Sequence, residues 1–239
     1  MLTNQANTIL LLAAVDQEIM PTIHRLGLQH DDRCCVGDVG GKRVVAAFTG
    51  IGRDRCRQAA DRLIAEHRPD WIIQIGLAGS LIEDTPAGQV IQFNAVTDGS
   101  GKAIFLDRDT PTPAALDPSS GATPLLLSHN ELAYSAQLKR RLAEQHGATA
   151  VDMESFHLAE LAAERSIRLS VVRAISDPID LTIPQEAGNW VKDDGTADIA
   201  AATQYLATHP RELATMMKLH SHATLAARKL ADFVVTMLA

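Results

Sequence analysis

The sequence predicts an α/β fold, in which buried strands alternate with amphipathic helices. The run Leu169–Ile175 is apolar and rich in β-branched residues, which is typical of a buried strand. Between Glu154 and Ser166, apolar residues recur at the spacing of one helix face. Gly40 and Gly41 indicate a hairpin turn between two strands. Strand and helix signals in one chain of this size favour the α/β class.

Length and composition fit a single domain that spans residues 1–239. With 239 residues and 46% hydrophobic content, the chain can bury a large core. Length alone would also allow two domains, but no break in composition divides the chain. The segment Asp98–Thr123 is rich in Gly, Pro, Asp and Ser, which predicts a long loop.

Charge and hydropathy predict which partners the protein lacks. The net charge is −7 and no basic face is clustered, which argues against nucleic-acid binding. No apolar run reaches the roughly 20 residues that span a bilayer, and the N-terminus has no basic region followed by a cleavage site. The three cysteines lack the spacing of a metal site. We therefore expect a cytoplasmic protein without stable membrane insertion and without a metal.

Asp177 is the first candidate for chemistry. It ends the predicted strand Leu169–Ile175, and ligands of open α/β sheets collect just beyond the carboxyl ends of the strands. The alternative is that Asp177 only begins a turn before Pro178.

Three neighbouring residues form the second candidate. Asp152 and Glu154 lie at a predicted junction between a strand and a helix. A carboxylate there is often only a helix cap. Glu154 could instead accept both hydroxyls of a sugar, and Met153 offers a soft apolar contact to the face of a ribose.

Five motifs, in order along the chain, resemble those of one superfamily. They are TILLLAAVDQEI (Thr8–Ile19), GIG (Gly50–Gly52), WIIQIGLAGSL (Trp71–Leu81), GATAVDME (Gly147–Glu154) and RAISD (Arg173–Asp177). This set resembles the superfamily of purine nucleoside phosphorylases and methylthioadenosine/S-adenosylhomocysteine nucleosidases. In this resemblance, Trp71–Leu81 looks like a buried strand that ends in a glycine-rich loop. The stretch from Asp177 to Pro184 and the helical pattern after it are similar to hopanoid-associated phosphorylases.

The resemblance implies a three-layer α/β/α sandwich with a mixed central sheet, and usually a homo-oligomer. It implies cleavage of the N-glycosidic bond of a purine, adenosine-like nucleoside. Asp177 would protonate the base, while Glu154 and Met153 would hold the ribose. The remaining substrate-binding candidates are Asp152, Ser176, Ala78, Gly79 and Ile51. No metal or organic cofactor is implied, and inorganic phosphate is a possible co-substrate.

The attacking nucleophile is left open by the sequence. Glu18 falls where the nucleosidases carry the carboxylate that activates water, whereas the subgroup resemblance leads to phosphorolysis, which is the leading prediction. Arg53, just after Gly52, could help to hold a phosphate near a helix N-terminus. Leu77 stands where relatives commonly have a serine, and Leu132 where they stack an aromatic residue on the base. These two departures also allow a non-catalytic nucleoside-binding protein.

Overall fold

The computed structural model describes residues 7–106, 124–190 and 198–239. Its strands, β1 to β11 in chain order, are Thr8–Ala13, Gln29–Asp31, Cys34–Val39, Lys42–Phe48, Trp71–Ser80, Val90–Phe93, Ala95–Thr97, Ala103–Phe105, Leu125–Ser128, Ala150–Asp152 and Arg168–Asp177. Its α-helices, α1 to α6, are Asp16–Leu26, Arg53–His67, Ala136–His146, Ser155–Glu164, Ile199–Thr208 and Leu213–Leu238. Short 3₁₀ turns cover Gln185–Asn189 and Pro210–Glu212.

The strands form one mixed sheet in the order β2-β3-β4-β1-β5-β10-β9-β7-β8, and β11 pairs with β5 and β6. At its centre, β1 is parallel to β4 and β5, and β11 is parallel to β5 over nearly its whole length. The end of β5 pairs antiparallel with β10 through Gly79 and Ser80. As a result, β10 delivers its last residues beside the carboxyl ends of β5 and β11.

Helices cover both faces of the sheet, which confirms the predicted three-layer α/β/α sandwich. Along β1, Ile9 and Leu11 pack in the core cluster that includes buried residues of α1 and α6. Leu10 and Leu12 belong to the cluster that includes α2 and α4. This alternation is the two-residue period of a strand buried on both faces. It leaves the ends of the strands, rather than the faces, for a ligand.

Several local predictions are confirmed. The hairpin turn at Gly40 and Gly41 joins β3 to β4, and both glycines have the positive φ that this turn requires. The strand predicted at Leu169–Ile175 is the middle of β11. The helix predicted after Glu154 is α4.

Two local predictions are wrong. The glycines of WIIQIGLAGSL were expected in a loop, but Gly76 and Gly79 lie within β5, where they pair with Arg173 and Asp177 of β11. The segment Asp98–Thr123 was expected to be a loop throughout, but Ala103–Phe105 forms β8, paired antiparallel with β7. Residues 107–123 of that segment lie outside the described residues.

No helix in the described part of the chain is long and apolar enough to cross a membrane.

Candidate active site

A cavity of about 170 Å³ opens where the carboxyl ends of β1, β5, β10 and β11 meet. All nine residues proposed from the sequence line it, namely Glu18, Ile51, Ala78, Gly79, Asp152, Met153, Glu154, Ser176 and Asp177. The structure therefore brings together residues that are up to 159 positions apart in the sequence. Their roles in binding and chemistry stay predictions.

Glu18 lies in the first turn of α1, and its carboxylate turns back to three backbone N–H groups. Oε2 accepts from Ala14 at 3.0 Å and from Val15 at 3.4 Å, and Oε1 accepts from Leu77 at 2.9 Å. Burial raises the pKa of Glu18 above its ordinary value, although the charge of Arg173 and these three hydrogen bonds oppose the rise. The site therefore holds a fixed carboxyl group that binds a proton more readily than an exposed one.

Asp152 is the partner of a buried arginine. Arg173 donates to Asp152 Oδ2 from Nε at 3.0 Å and from Nη2 at 2.6 Å. The hydroxyl of Ser128 donates to Oδ1 at 2.7 Å, and Ser155 donates to Oδ2 through its own hydroxyl. Because these contacts occupy both oxygens, Asp152 orients the arginine and the start of α4.

Gly76 makes room for this arginine. A Cβ at Gly76 would lie 2.6 Å from Arg173 Nη1 and 3.2 Å from each carboxylate oxygen of Glu18. Such a contact is too close for a side chain to fit without a shift. The glycine thus serves the close approach of Arg173 and Glu18, rather than a turn.

Glu154 does not cap its own helix. It precedes α4, where no capping hydrogen bond from its side chain is found. Instead, its Oε1 accepts from the backbone N–H of Gly52, at the N-terminus of α2, at 2.8 Å. Burial, followed by the nearby charge of Asp152, raises the pKa of Glu154. The capping alternative considered for Glu154 is therefore wrong, since this carboxylate points to another element.

Asp177 is held from two sides at the end of β11. Ser176 donates its hydroxyl to Asp177 Oδ1 at 2.7 Å, and the Lys139 ammonium lies 2.6 Å from Oδ2. A Cβ at Gly79 would lie 2.7 Å from Oδ2, so the carboxylate needs a glycine there. Asp177 thus lines the cavity with its carboxylate fixed by neighbouring groups, and it does more than begin a turn.

Sequence reasoning missed Arg173 and Lys139 as functional residues. Arg173 was quoted within a motif without a role, and its signal is a charged residue inside an otherwise apolar strand. Lys139 had a weaker signal, which is its spacing of three residues from Leu142 on the buried face of α3. His129, which is close in sequence to Glu131 and Leu132, does not line the cavity; its Nδ1 contacts the carbonyl oxygen of Glu131 at 2.8 Å.

The described lining of the cavity is strongly acidic. It carries five carboxylates, and none of the described residues that line it is a lysine or an arginine; the five are Glu18, Glu131, Asp152, Glu154 and Asp177. Arg53, considered as a phosphate ligand, is exposed and outside this lining. Within the described ranges, no group of three or more His, Cys, Asp or Glu side chains is arranged to hold a metal ion.

Comparison with known proteins identifies the family. The chain matches the model of the phosphorylase superfamily over residues 8–133 and 126–238. The 5'-methylthioadenosine/S-adenosylhomocysteine nucleosidase of Staphylococcus epidermidis is 23% identical over 163 residues, which are 59% of this chain and 72% of that protein. The futalosine hydrolase of Streptomyces coelicolor is 27% identical over 156 residues, 58% of this chain and 65% of that protein, just under two thirds of its length.

Solved structures show the same fold. The Helicobacter pylori 5'-methylthioadenosine/S-adenosylhomocysteine nucleosidase superposes with a TM-score of 0.68, with 18% identity and coverage of 98% of both chains. The futalosine hydrolase of the same organism gives a TM-score of 0.69 at 17% identity, again over 98% of both chains. Together with the family match, these similarities confirm the superfamily and the fold predicted from the motifs.

Proposed function

Because this chain belongs to the phosphorylase superfamily, we propose that it cleaves the N-glycosidic bond of a purine nucleoside by hydrolysis. Membership of the family identifies the protein as an enzyme of N-glycosidic bond cleavage. The observation that carries the choice of water is the acidic lining of the cavity, in which Glu18 is fixed by three backbone N–H groups.

Phosphorolysis, the leading prediction from the subgroup resemblance, fits this lining poorly. None of the described residues that line the cavity is a lysine or an arginine that could bind an incoming phosphate dianion, and the nearby cation Arg173 already binds Asp152. The helix N-terminus at Gly52 is a natural anion site, but its N–H already donates to Glu154. Leu77 offers no hydroxyl to a phosphate. These observations favour the hydrolytic alternative.

The names of the relatives support the same choice. The two curated proteins that the chain resembles are a nucleosidase and a hydrolase. Their identities, 23% and 27%, leave the substrate of this chain to experiment.

In the proposed reaction, the bond from the anomeric carbon to the base nitrogen breaks as a bond to a water oxygen forms. Asp177 supplies a proton to the ring nitrogen that faces it, which turns the base into a better leaving group. The ribose becomes oxocarbenium-like, and hydrogen bonds from its hydroxyls to Glu154 strengthen as positive charge develops. Glu18 takes a proton from the attacking water. Its raised pKa suits this task, since a more basic carboxylate is a better acceptor.

The proposed substrate is an adenosine-like nucleoside. Leu132 lies in the wall of the cavity and offers the base an aliphatic contact instead of an aromatic one. Met153 lies in the same lining, where it can pack on the ribose face. The proposed reaction needs no metal and no organic cofactor. We also propose that the protein is a homo-oligomer in the cytoplasm. The hopanoid-associated subgroup stays a prediction.

Base release measured with and without inorganic phosphate tests this function. We suggest four substrates: adenosine, methylthioadenosine, S-adenosylhomocysteine and futalosine. The proposal expects release of the base from at least one of them at a rate that phosphate does not increase. Pretreatment with a chelator should leave that rate unchanged. Release that requires phosphate would overturn hydrolysis, and no release from any of the four would overturn the substrate class.

A matched pair of variants tests the role of Glu18. Glu18→Gln keeps the size and one carbonyl oxygen of the side chain but cannot accept the proton of water, so we expect a loss of about 100-fold in kcat. Glu164→Gln is the control, since Glu164 is exposed at the far end of α4 and pairs with Arg57. Equal activity of the two variants would remove Glu18 from the mechanism.

A further inference from the structure

Lys139 is a fully buried lysine whose contacts are all on the segment that contains Asp177. Its side chain, in α3, has no exposed surface, and its ammonium lies 2.6 Å from Asp177 Oδ2. The same ammonium donates to the carbonyl oxygens of Asp177, Pro178 and Leu181 at 3.3, 3.1 and 3.0 Å. A buried charge is tolerated only when it is paired and hydrogen-bonded, as it is here.

The contacts of Lys139 fix one oxygen of Asp177, and Ser176 fixes the other. The Ser176 hydroxyl donates to Oδ1 at 2.7 Å. Gly79 lies against Oδ2, where a Cβ would come within 2.7 Å. The Lys139 ammonium, the Ser176 hydroxyl and the Gly79 backbone therefore fix the orientation of the Asp177 carboxylate.

Lys139 also links α3 to the segment from Asp177 to Leu181. The helix α3 begins at Ala136, three positions after the last of the cavity-lining residues Glu131, Leu132 and Ala133. Ser135 caps α3 by accepting from Leu138 N–H at 3.1 Å. Through Lys139, this helix holds the chain from Asp177 to Leu181 at a fixed place relative to that wall.

We propose that Lys139 is a positioning residue for Asp177, which orients the carboxylate toward the ring nitrogen of the base. The inference rests on the role of Asp177 in the proposed function. Lys139 is not among the residues that line the cavity, and its contact with the site is through Asp177. It acts because a misplaced acid loses much of the rate that a well-oriented one provides. The alternative is that Lys139 only stabilises the turn after β11 through the three carbonyl oxygens.

Steady-state kinetics of Lys139→Met and Lys139→Arg separate the two roles. We expect Lys139→Met to lower kcat at least about tenfold, with KM changed less than about threefold, because orientation acts on the chemical step. Lys139→Arg retains the charge and should recover a large part of kcat. Arg140→Met is the control, since Arg140 is an exposed neighbour that contacts Glu83 and Asp180.

A double-mutant cycle with Asp177→Asn tests whether Lys139 acts through Asp177. If it does, Lys139→Met should change kcat less than about twofold when Asp177 is already Asn, since residues that act as a unit are not additive. A loss as large as in the wild-type background would mean that Lys139 acts independently of Asp177. That result would overturn the proposal.

Binding of two bases gives a readout that does not depend on turnover. In 9-deazaadenine, the nitrogen that corresponds to purine N7 carries a hydrogen, which an oriented Asp177 carboxylate can accept. We expect the wild type to prefer 9-deazaadenine over adenine in calorimetry, and Lys139→Met to reduce that preference about tenfold, because hydrogen bonds to charged groups are strong. An unchanged preference in the variant would contradict the proposal.

Thermal unfolding of each variant accompanies these measurements. Should Lys139→Met not fold, Lys139→Gln takes its place, since its amide keeps donors for the carbonyl oxygens while the charge is removed. A wild-type kcat in a folded neutral variant would overturn only the role of Lys139. A wild-type enzyme that releases no base would instead overturn the proposed function.

Discussion

Two carboxylates that line the cavity, Glu154 and Asp177, lie in different surroundings. Asp177 has a lysine ammonium and a hydroxyl of its own. Glu154 accepts from the backbone N–H of Gly52, while the nearby cation Arg173 is bound to Asp152. Neighbouring groups can therefore adapt one kind of side chain, a carboxylate, to two different roles. Asp177 is oriented by the protein, and Glu154 has room for hydrogen bonds that the sugar hydroxyls would supply.

Removing the cation near Glu154 should cost the most. Arg173→Met would leave Asp152 buried without its ionic partner, beside Glu154 and Glu18. We expect a loss of about 3–5 kcal/mol in the free energy of unfolding, measured by urea denaturation. Arg165→Met is the control, because Arg165 forms an exposed pair with Asp61. A loss no larger than in the control would show that the ion pair of Arg173 with Asp152 does not stabilise the fold.

Replacing Asp177, the proposed acid, should abolish most of the turnover. We expect Asp177→Asn to lower kcat at least ~100-fold, because general acid catalysis typically contributes that much. Asp180→Asn serves as the control, since Asp180 is exposed and contacts Arg140. Near-normal base release by Asp177→Asn would refute the assignment of the acid.

A smaller effect should distinguish the sugar contact of Glu154. We expect Glu154→Gln to lower kcat/KM about tenfold or more on ribonucleosides, since each hydrogen bond contributes about 0.5–1.5 kcal/mol and the sugar offers two hydroxyls. The loss should be clearly smaller on 2'-deoxynucleosides, which lack one of the hydroxyls. Equal losses on both sugars would mean that Glu154 does not bind that hydroxyl. Glu164→Gln should behave as the wild type on both.

The smallest effect concerns stability and pH. Since the pKa of Glu154 is raised by burial, its charged form is disfavoured in the folded state, so stability is highest below the ordinary value of 4.5. Stability from this group falls as the pH rises from 4.5 toward the raised pKa. Glu154→Gln removes that fall. Between pH 5 and pH 8, we expect the free energy of unfolding of the variant to rise relative to that of the wild type by at least about 1 kcal/mol, or about 2–4 °C in Tm.

Differential scanning at the two pH values measures this gain. An identical pH dependence in Glu154→Gln and the wild type would show that Glu154 is not the group responsible. Glu164→Gln, whose carboxylate is exposed, should follow the wild type at both pH values.

Short-range patterns in the sequence sufficed for part of this account. The strand before Asp177 and the junction at Asp152 and Glu154 were predicted because alternation, helical spacing and turn signals act over a few residues. The superfamily motifs then implied which of these residues meet in one cavity.

The sequence could not predict the contacts that distinguish the two carboxylates. Lys139 lies 38 positions from Asp177, and Gly52 lies 102 positions from Glu154. No local pattern encodes such pairs, because they depend on how the sheet and helices pack. The same cause explains the error at Gly76 and Gly79. Glycine usually signals a turn, but within β5 Gly76 makes room for Arg173 and Gly79 makes room for Asp177.

The identity of the sugar product distinguishes hydrolysis from phosphorolysis. The reaction should be run in ¹⁸O-labelled water with excess inorganic phosphate, and the sugar analysed by mass spectrometry and phosphorus NMR. Hydrolysis at this acidic site predicts free sugar with one ¹⁸O at the anomeric carbon, and no sugar phosphate. A sugar 1-phosphate as the main product would contradict the account.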